Sequence, residues 1–354
     1  MATSISVQRT TKPRLRPKDD ELAFGKIFSD HMFLAEWDEG KGWHDARIVP
    51  YGPIALDPAA ACLHYGQEAF EGMKAFRSGA SGMVLFRPKA HVARLARTAK
   101  RLCMPEVPEA LFLDGVKALL REDAPWLPSS AGTSLYVRPY LFATEPFLGV
   151  RPAKQVLFAV ILSPVGGYFS GAARPLKIWV EQERSRAAKG GIGEAKAAAN
   201  YVASLYAAED AKHRGFDQVL WLDGAEHRFV EEIGTMNFFA KIGGKLVTPA
   251  LEGSILPGVT RDCVLRLARD AGVPVEERKV ELAELAEAGK KGTLEEVFGT
   301  GTASLVAPIG ELAWEGGGQI RVSGSGALGE RLRAELAGIQ RGEVADRYGW
   351  LEKV

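Results

Sequence analysis

Residues 190–201 read GGIGEAKAAANY, which places one long cationic side chain, Lys196, among residues with almost no side chains. A lysine on the solvated surface does not require small neighbours, whereas a lysine with a bulky group packed against its own backbone does. A primary amine in a cleared, partly desolvated site is the usual nucleophile for an aldehyde. The stretch therefore indicates Schiff-base chemistry, with pyridoxal phosphate (PLP) as the aldehyde to test. A loop lysine in solvent is the simpler alternative.

The composition is ordinary for a globular protein and excludes several function classes. The chain has 354 residues, enough for roughly two domains, with 46% hydrophobic and 25% charged residues. A formal net charge of +1 is not the strong excess of positive charge that is typical of proteins that bind nucleic acid or a membrane surface. Cys62, Cys103 and Cys263 lie far apart without a CxxC spacing, which favours free thiols in a reducing cytoplasm.

The pattern along the chain predicts two domains after a polar tail. No apolar run is long enough to span a bilayer. The basic start of the chain has no apolar signal region, so we expect residues 1–20 to form a disordered tail, with a weak transit peptide as the alternative. Strand and helix patterns mix over 21–165, including a helix that begins at Pro88 and continues with apolar residues at helical spacing. This mixture predicts a small N-terminal α/β domain. Glycines and a proline in 166–176 suit an interdomain loop. Residues 177–354 are expected to form the larger C-terminal domain.

A PLP site needs an acid near the pyridine nitrogen, so that the ring stays protonated. Glu231 and Glu232 lie in a predicted strand, where neighbouring side chains point to opposite faces, and the pattern does not choose between them. The cofactor also needs a phosphate cradle of backbone N–H groups with a guanidinium. The segments 257–260, at a predicted helix start, and 299–303, GTGTA, both fit. Taken singly, each is equally typical of a plain turn.

Other chemistries do not fit the same residues. A P-loop needs glycine before its lysine and Ser or Thr after it, but Ala195 and Ala197 flank Lys196. No GxGxxG follows a strand at the place that a dinucleotide fold requires, and there is no GxSxG elbow. The histidines show no metal-ligand spacing, so no metal site is predicted.

An ordered set of motifs resembles the branched-chain amino acid aminotransferases, which are fold-type IV PLP enzymes. The resemblance runs from about residue 24 to the C-terminus. Its motifs are FG at 24–25, DHM at 30–32, LHY at 63–65, FEGMKA at 70–75, LYVRP at 135–139, EP at 145–146, NY at 200–201, QVLWL at 218–222, EIGTMN at 232–237, LPG at 256–258 and GTA at 301–303. It implies a two-domain α/β fold (α+β by some schemes), the cofactor at the domain junction, and a homodimer.

The resemblance also implies roles for cofactor-binding residues. Lys196 should bind PLP through its amine and, once released, carry the proton between the substrate α-carbon and the cofactor. Glu232 should pair with the pyridine nitrogen, and Tyr201 should donate to the ring oxygen. Further cofactor contacts are implied for Arg94, Val259, Thr260 and Thr302 at the phosphate, for Arg186 near the cofactor, and for Thr235 close to the ring.

The implied reaction is ping-pong transamination of leucine, isoleucine or valine with 2-oxoglutarate. Tyr136 and Arg138 should receive the distal carboxylate of glutamate, and the N–H groups of Thr302 and Ala303 should receive the α-carboxylate. An aromatic pocket suits a branched aliphatic side chain, whose affinity comes mainly from apolar burial. The aromatic residues that the resemblance places there are Phe24, Tyr65, Phe70 and Tyr168.

Two departures from the family stand out. Ala198 and Ala199 occupy positions where the family usually has glycine, and we expect activity to survive because alanine keeps the site small. Ser304 and Ala307 replace the CxxC of animal members, so thiol redox control is not expected there. The alternatives are a PLP lyase such as aminodeoxychorismate lyase, a D-amino acid aminotransferase, and a non-catalytic binding protein. Tyr136 and Arg138 argue against the first two.

Overall fold

A computed structural model describes residues 4–79, 82–166, 174–322 and 324–354. They divide into two units, each built on its own nine-stranded sheet. The first unit takes its described residues from Met1–Tyr168, Ala195–Ala199 and Ile339–Val354, and the second from Phe169–Glu194 and Asn200–Gly338. Within these ranges, no helix is both long enough and apolar enough to cross a membrane.

Strands and helices are mixed along the chain, as expected for an α/β protein, with runs of up to four strands between helices. The strands are β1 (Ser6–Val7), β2 (His31–Asp38), β3 (Gly42–Pro50), β4 (Glu68–Phe70), β5 (Met73–Ser78), β6 (Gly82–Phe86), β7 (Ser134–Ala143), β8 (Gln155–Val165), β9 (Leu176–Glu181), β10 (Gln218–Leu222), β11 (Val230–Ile233), β12 (Met236–Ile242), β13 (Lys245–Thr248), β14 (Val275–Glu277), β15 (Leu294–Gly301), β16 (Leu305–Trp314), β17 (Gly318–Arg321) and β18 (Leu351–Lys353). The helices are α1 (Ala61–Tyr65), α2 (Pro88–Arg101), α3 (Glu109–Glu122), α4 (Ala198–His213), α5 (Val259–Asp270), α6 (Leu282–Lys290) and α7 (Ala327–Arg341).

The sheet of the first unit has the order β1-β3-β2-β8-β7-β5-β6-β18, with β4 paired to β7. Its pairs are antiparallel except β1 with β3. Helices α2 and α3 contribute to the same apolar core as the strands. In that core Phe112 of α3 stacks on Phe158 of β8, with ring centroids 5.5 Å apart, and both rings are fully buried.

Helix α2 begins at Pro88, as its sequence predicts. A proline at the first helical position fixes φ and removes an N–H that would lack a partner there in any case. Val92, Leu95 and Ala99 recur at helical spacing and are buried against the core. Polar residues lie on the remaining faces, and three of these turn out to matter for the candidate site.

The sheet of the second unit has the order β11-β10-β9-β16-β15-β12-β13-β14, with β17 paired to β16 and β11 also paired to β12. It is mixed, because β9 runs parallel to both β10 and β16 while β12, β15 and β16 are antiparallel neighbours. The buried face includes Leu220, Ile233 and Phe238. The register sets Glu232 opposite Trp221 on one side and Asn237 on the other.

The chain differs from the predicted sequential division in three places. Residues 4–20, expected to be a tail, include β1, and Arg9 donates from Nε to Glu122 Oε1 at 2.6 Å. Residues 195–199 belong to the first unit, and β18 near the C-terminus pairs with β6. These contacts join residues distant in sequence, so local composition does not reveal them. Most of the predicted loop 166–176, including Tyr168, lies outside the described residues.

Candidate active site

The backbone of Lys196 is held by two elements of the first unit. Its N–H donates to Thr98 Oγ1 of α2 at 3.0 Å, and its carbonyl accepts from the N–H of Phe70 at the end of β4, at 3.1 Å. Beside it, Ala197 forms an isolated bridge with Ala69, and both alanines are buried. Because Ala197 is almost completely buried, a larger side chain there would have to displace its neighbours, which gives a packing reason for a small residue next to the lysine.

The Lys196 side chain lies against a group of predicted substrate residues. Its Nζ is 4.8 Å from the centroid of the Phe70 ring, and Arg138 Cζ is 4.7 Å from the same ring. Arg138 Nη2 donates to the Tyr136 hydroxyl at 3.0 Å, and Tyr136 meets Phe24 edge to face at 5.0 Å. Lysine, arginine and three aromatic rings thus form one continuous set of cation–π, hydrogen-bonded and aromatic contacts.

Tyr65 occupies a more open position. It ends α1, its side chain is half exposed, and its hydroxyl donates to the carbonyl oxygen of Leu148. Phe24 is also exposed on one side. Of the predicted aromatic pocket residues, Phe24 and Tyr65 are thus exposed, Phe70 is partly buried and Tyr136 is buried.

Arg94 is buried in α2 and forms a two-pronged ion pair with Glu71. Nε donates to Glu71 Oε1 at 2.6 Å and Nη2 donates to Oε2 at 2.8 Å. His91 Nδ1 lies 2.7 Å from Glu71 Oε2. Burial alone would raise the pKa of the Glu71 carboxyl, but Arg94 and His91 outweigh it and hold that pKa well below its usual range. Sequence reasoning quoted Glu71 within a motif but gave neither it nor His91 a role.

In the second unit, the carboxylate of Glu232 is buried and has two side-chain partners. Arg186 Nη2 lies 2.6 Å from Glu232 Oε2, and Asn237 Nδ2 donates to Oε1 at 3.0 Å. Each carboxylate oxygen thus has a donor of its own. Arg186 Nη2 also donates to the carbonyl of Ser254 at 2.6 Å, which ties the guanidinium to the loop after β13.

Glu231 is buried as well, so neither member of the acidic pair faces solvent. The Ser254 hydroxyl donates to Glu231 Oε1. Burial raises the pKa of the Glu231 carboxyl, and the Ser254 hydrogen bond and Arg186 offset only part of that rise. The two neighbouring carboxylates therefore have different environments, with the paired guanidinium and amide on Glu232.

The predicted phosphate cradle at 257–260 is a helix N-terminus. Gly258 is the N-cap of α5, and Val259 and Thr260 open the helix with buried side chains. Asn237 Nδ2 donates to the Leu256 carbonyl at 2.9 Å as well as to Glu232. A Cβ on Gly258 would lie 1.9 Å from Asn237 Oδ1, so any side chain there would force a neighbour to move. Asn237 links the carboxylate to the start of the helix, a role that sequence reasoning missed.

The second predicted cradle is the turn between β15 and β16, which contains Thr302 and Ala303. Because β12 and β15 are antiparallel, with Asn237 opposite Thr300, this turn and the turn carrying Thr235 lie at the same end of the sheet. The Thr235 carbonyl would be 4.0 Å from a Cβ on Gly301. Tyr201 lies in the first turn of α4 and is partly buried.

Comparisons with known proteins identify the family of the chain. The family described as amino-transferase class IV matches residues 68–312. The chain is 47% identical over 352 residues to branched-chain-amino-acid aminotransferase 2 of Bacillus subtilis, covering 99% of this chain and 97% of that one.

Solved structures give the same result for the fold. The branched-chain amino acid aminotransferase from Escherichia coli has a TM-score of 0.73 at 26% identity, covering 92% of this chain and 98% of that chain. The T.th. enzyme of the same name, solved with pyridoxamine 5'-phosphate, has a TM-score of 0.74 at 28% identity, covering 92% and 99%. The chain therefore belongs to the branched-chain-amino-acid aminotransferases of class IV.

Proposed function

We propose that the protein uses PLP to transfer the amino group between leucine, isoleucine or valine and 2-oxoglutarate, in a ping-pong reaction. The observation that carries the proposal is the position of Lys196, whose amine lies on the Phe70 ring beside Arg138 and Tyr136. An amine for the cofactor thus adjoins side chains suited to an apolar substrate and to a carboxylate.

The residues on the two units fit the chemistry of PLP. The first unit supplies an amine, Lys196, and a buried guanidinium, Arg94. The second supplies the buried carboxylate of Glu232 and the N-terminus of α5, whose N–H groups and dipole favour a phosphate. When bound, PLP supplies an electrophilic aldehyde and a protonated ring that withdraws electrons from the substrate α-carbon.

Each protein group then has a defined task. Lys196 Nζ takes the proton from the substrate α-carbon and returns a proton during transfer, as a general base and acid. Glu232, held by Arg186 and Asn237, would accept the N–H of the pyridine ring. Tyr201 would donate to the ring oxygen, and further cofactor contacts would come from Thr235, Val259, Thr260 and Thr302.

The residues around Phe70 suit both a branched-chain substrate and glutamate. Phe24, Phe70 and Tyr136 offer apolar surface to a branched side chain. Arg138, hydrogen-bonded to Tyr136 at 3.0 Å, offers a guanidinium to the distal carboxylate of glutamate. Tyr65, Tyr168 and the N–H groups of Thr302 and Ala303 are the further substrate contacts in the proposal.

We also propose a homodimer. Helix α4 exposes three large apolar side chains on neighbouring turns, namely Val202 (67% exposed), Leu205 (60%) and Tyr206 (69%). Clustered apolar side chains of this kind are typical of protein–protein contact surfaces. A second copy of the chain is the partner that we infer. The cytoplasmic location stays a prediction.

The test of the activity is Lys196→Ala, with Lys189→Ala as the matched control on an exposed lysine of the same segment. We expect Lys196→Ala to lose the visible absorbance of protein-bound PLP and turnover of leucine with 2-oxoglutarate, while the control keeps both. Full turnover in Lys196→Ala would sink the proposal. Rates with D-alanine and with aminodeoxychorismate, measured alongside leucine, separate an aminotransferase for branched-chain acids from the two alternative reactions.

A further inference from the structure

Helix α2 presents three polar residues on one buried face. His91, Arg94 and Thr98 are spaced by three and four residues, which places them on adjacent turns of the same side. All three are buried. A buried polar stripe on a helix requires partners, and the partners come from the segment at the end of β4 and from the peptide of Lys196.

The first pairing fixes a guanidinium. Arg94 meets Glu71 through two parallel N–H···O bonds of 2.6 and 2.8 Å, the fork geometry that constrains both groups. The Glu71 backbone N–H donates to the Pro139 carbonyl at 2.7 Å, and the Gly72 N–H donates to Glu71 Oε2 at 3.2 Å. The carboxylate is therefore held by its own segment of the chain as well as by the helix.

His91 completes this pairing as a neutral donor. A carboxylate only accepts hydrogen bonds, so the proton of the 2.7 Å contact with Glu71 Oε2 belongs to His91 Nδ1. Burial lowers the pKa of the His91 ring and outweighs the opposing effect of Glu71. The arginine, glutamate and histidine together carry no net charge, which reduces the desolvation cost of their complete burial.

The second pairing reaches the lysine from the same helix face. Thr98 Oγ1 accepts the Lys196 N–H at 3.0 Å, and the Lys196 carbonyl accepts from Phe70, the residue before Glu71. The segment 70–71 thus bonds to Arg94 through Glu71 and to the Lys196 peptide through Phe70. Helix α2 carries Arg94 and bonds the same peptide through Thr98. A shift of α2 would move the two together.

We propose that Glu71, His91 and Thr98 are positioning residues, with Glu71 and His91 orienting the Arg94 guanidinium toward the cofactor phosphate and Thr98 fixing the peptide of Lys196. The proposal rests on the proposed function, because it takes PLP as the ligand. In this arrangement the phosphate-binding guanidinium of Arg94 and the reactive Lys196 are held by the same helix, α2, and by the same segment at the end of β4.

The first experiment compares dissociation constants for PLP and for pyridoxal, which lacks the phosphate. In Glu71→Gln we expect PLP to bind on the order of tenfold more weakly, because one charge of a buried pair is lost, while pyridoxal affinity stays nearly unchanged. Glu68→Gln, the same change on β4 outside the network, is the control. A Glu71→Gln variant that keeps the full preference for PLP over pyridoxal would overturn the role of Glu71.

His91 provides a second variant if Glu71→Gln does not fold. His91→Asn keeps a donor near Nδ1 and should retain most of the PLP preference, whereas His91→Leu should lose it. Equal PLP preference in both variants contradicts the role of His91. A wild-type protein that binds PLP no better than pyridoxal would instead contradict the proposed function itself.

Thr98 is tested through the rate at which PLP bonds to Lys196, followed by rapid-mixing absorbance. Thr98→Val keeps the side-chain shape but removes the acceptor, so we expect a slower reaction at unchanged circular dichroism. Thr98→Ser restores the hydroxyl and should restore the rate. Wild-type kinetics in Thr98→Val would show that this hydrogen bond does not position the lysine.

Discussion

Single residues in the second unit control the geometry around Glu232, and Gly258 is the most constrained of them. Its φ is an ordinary −68°, so glycine is needed for space and not for a left-handed backbone. Asn237 occupies the place that a side chain would take, and it bonds both Glu232 and the Leu256 carbonyl.

We predict that Gly258→Ala destabilises the protein by about 1–3 kcal/mol, the usual effect of overpacking, and weakens PLP binding. Either Asn237 or the start of α5 must move to admit the methyl group. Gly52→Ala is the control, since a Cβ there meets nothing within 4 Å. Thermal unfolding and PLP titration of both variants measure the difference. Equal stability of the two variants would contradict the close packing described for Gly258.

The buried acid Glu231 makes stability depend on pH. Its pKa is raised in the folded protein, chiefly by burial. A carboxyl of this kind contributes its full stability below the ordinary glutamate pKa of about 4.3, and the contribution is lost as pH rises through the higher folded-state pKa. The ionised form is therefore the less favourable one inside the second unit.

We predict that Glu231→Gln, which cannot ionise and can still accept from Ser254, unfolds at a higher temperature than the wild type at neutral pH. The advantage should shrink as pH falls toward the ordinary carboxyl range. Melting temperatures of both proteins across this interval provide the test. A gap that widens on acidification would mean that Glu231 is stabilised in its ionised form.

At the scale of elements, helix α3 attaches to the first sheet through Phe112. The ring is fully buried and stacks on Phe158 of β8. The same helix passes close to Phe33 of β2, since a Cβ on Gly115 would come within 2.6 Å of that ring. Aromatic packing therefore sets the distance between this helix and the strands.

We predict that Phe112→Ala lowers stability by about 3–5 kcal/mol, because transfer and cavity terms add when a large core ring is removed. Leu15→Ala, at a side chain that is 95% exposed, should change stability by less than about 0.5 kcal/mol. Urea unfolding followed by fluorescence and circular dichroism compares them. Similar midpoints for the two variants would contradict the assignment of Phe112 to the core.

At the scale of the whole molecule, the proposed homodimer depends on the apolar side chains of α4. We predict that Leu205→Glu, combined with Tyr206→Glu, yields a monomer, because buried unpaired carboxylates would have to be desolvated at the contact. Glu209→Lys, also exposed on α4, is the control and should remain a dimer. Light scattering coupled to gel filtration gives the mass. Dimers of unchanged stability in the double variant would place the contact elsewhere.

The sequence predicted the elements whose signals are local. Pro88 and the spacing of Val92, Leu95 and Ala99 predicted α2, and the glycine after Leu256 and Pro257 predicted the start of α5. The motifs predicted the family, which the comparisons confirm. Of the site residues, Lys196, Phe70, Arg138, Tyr136 and Phe24 lie together in the first unit, while the cofactor roles stay predictions.

Periodicity, turn residues and motifs depend on residues that are close together in the sequence. The sequence alone therefore determined the α/β class, the family and the type of chemistry. The tertiary structure decided the pairings between distant positions. It brought Glu71 to His91 and Arg94, Arg186 to Glu232, and the C-terminal strand β18 to β6. Such contacts depend on strand register and on which helix face meets the core, and both are set only when the whole chain packs.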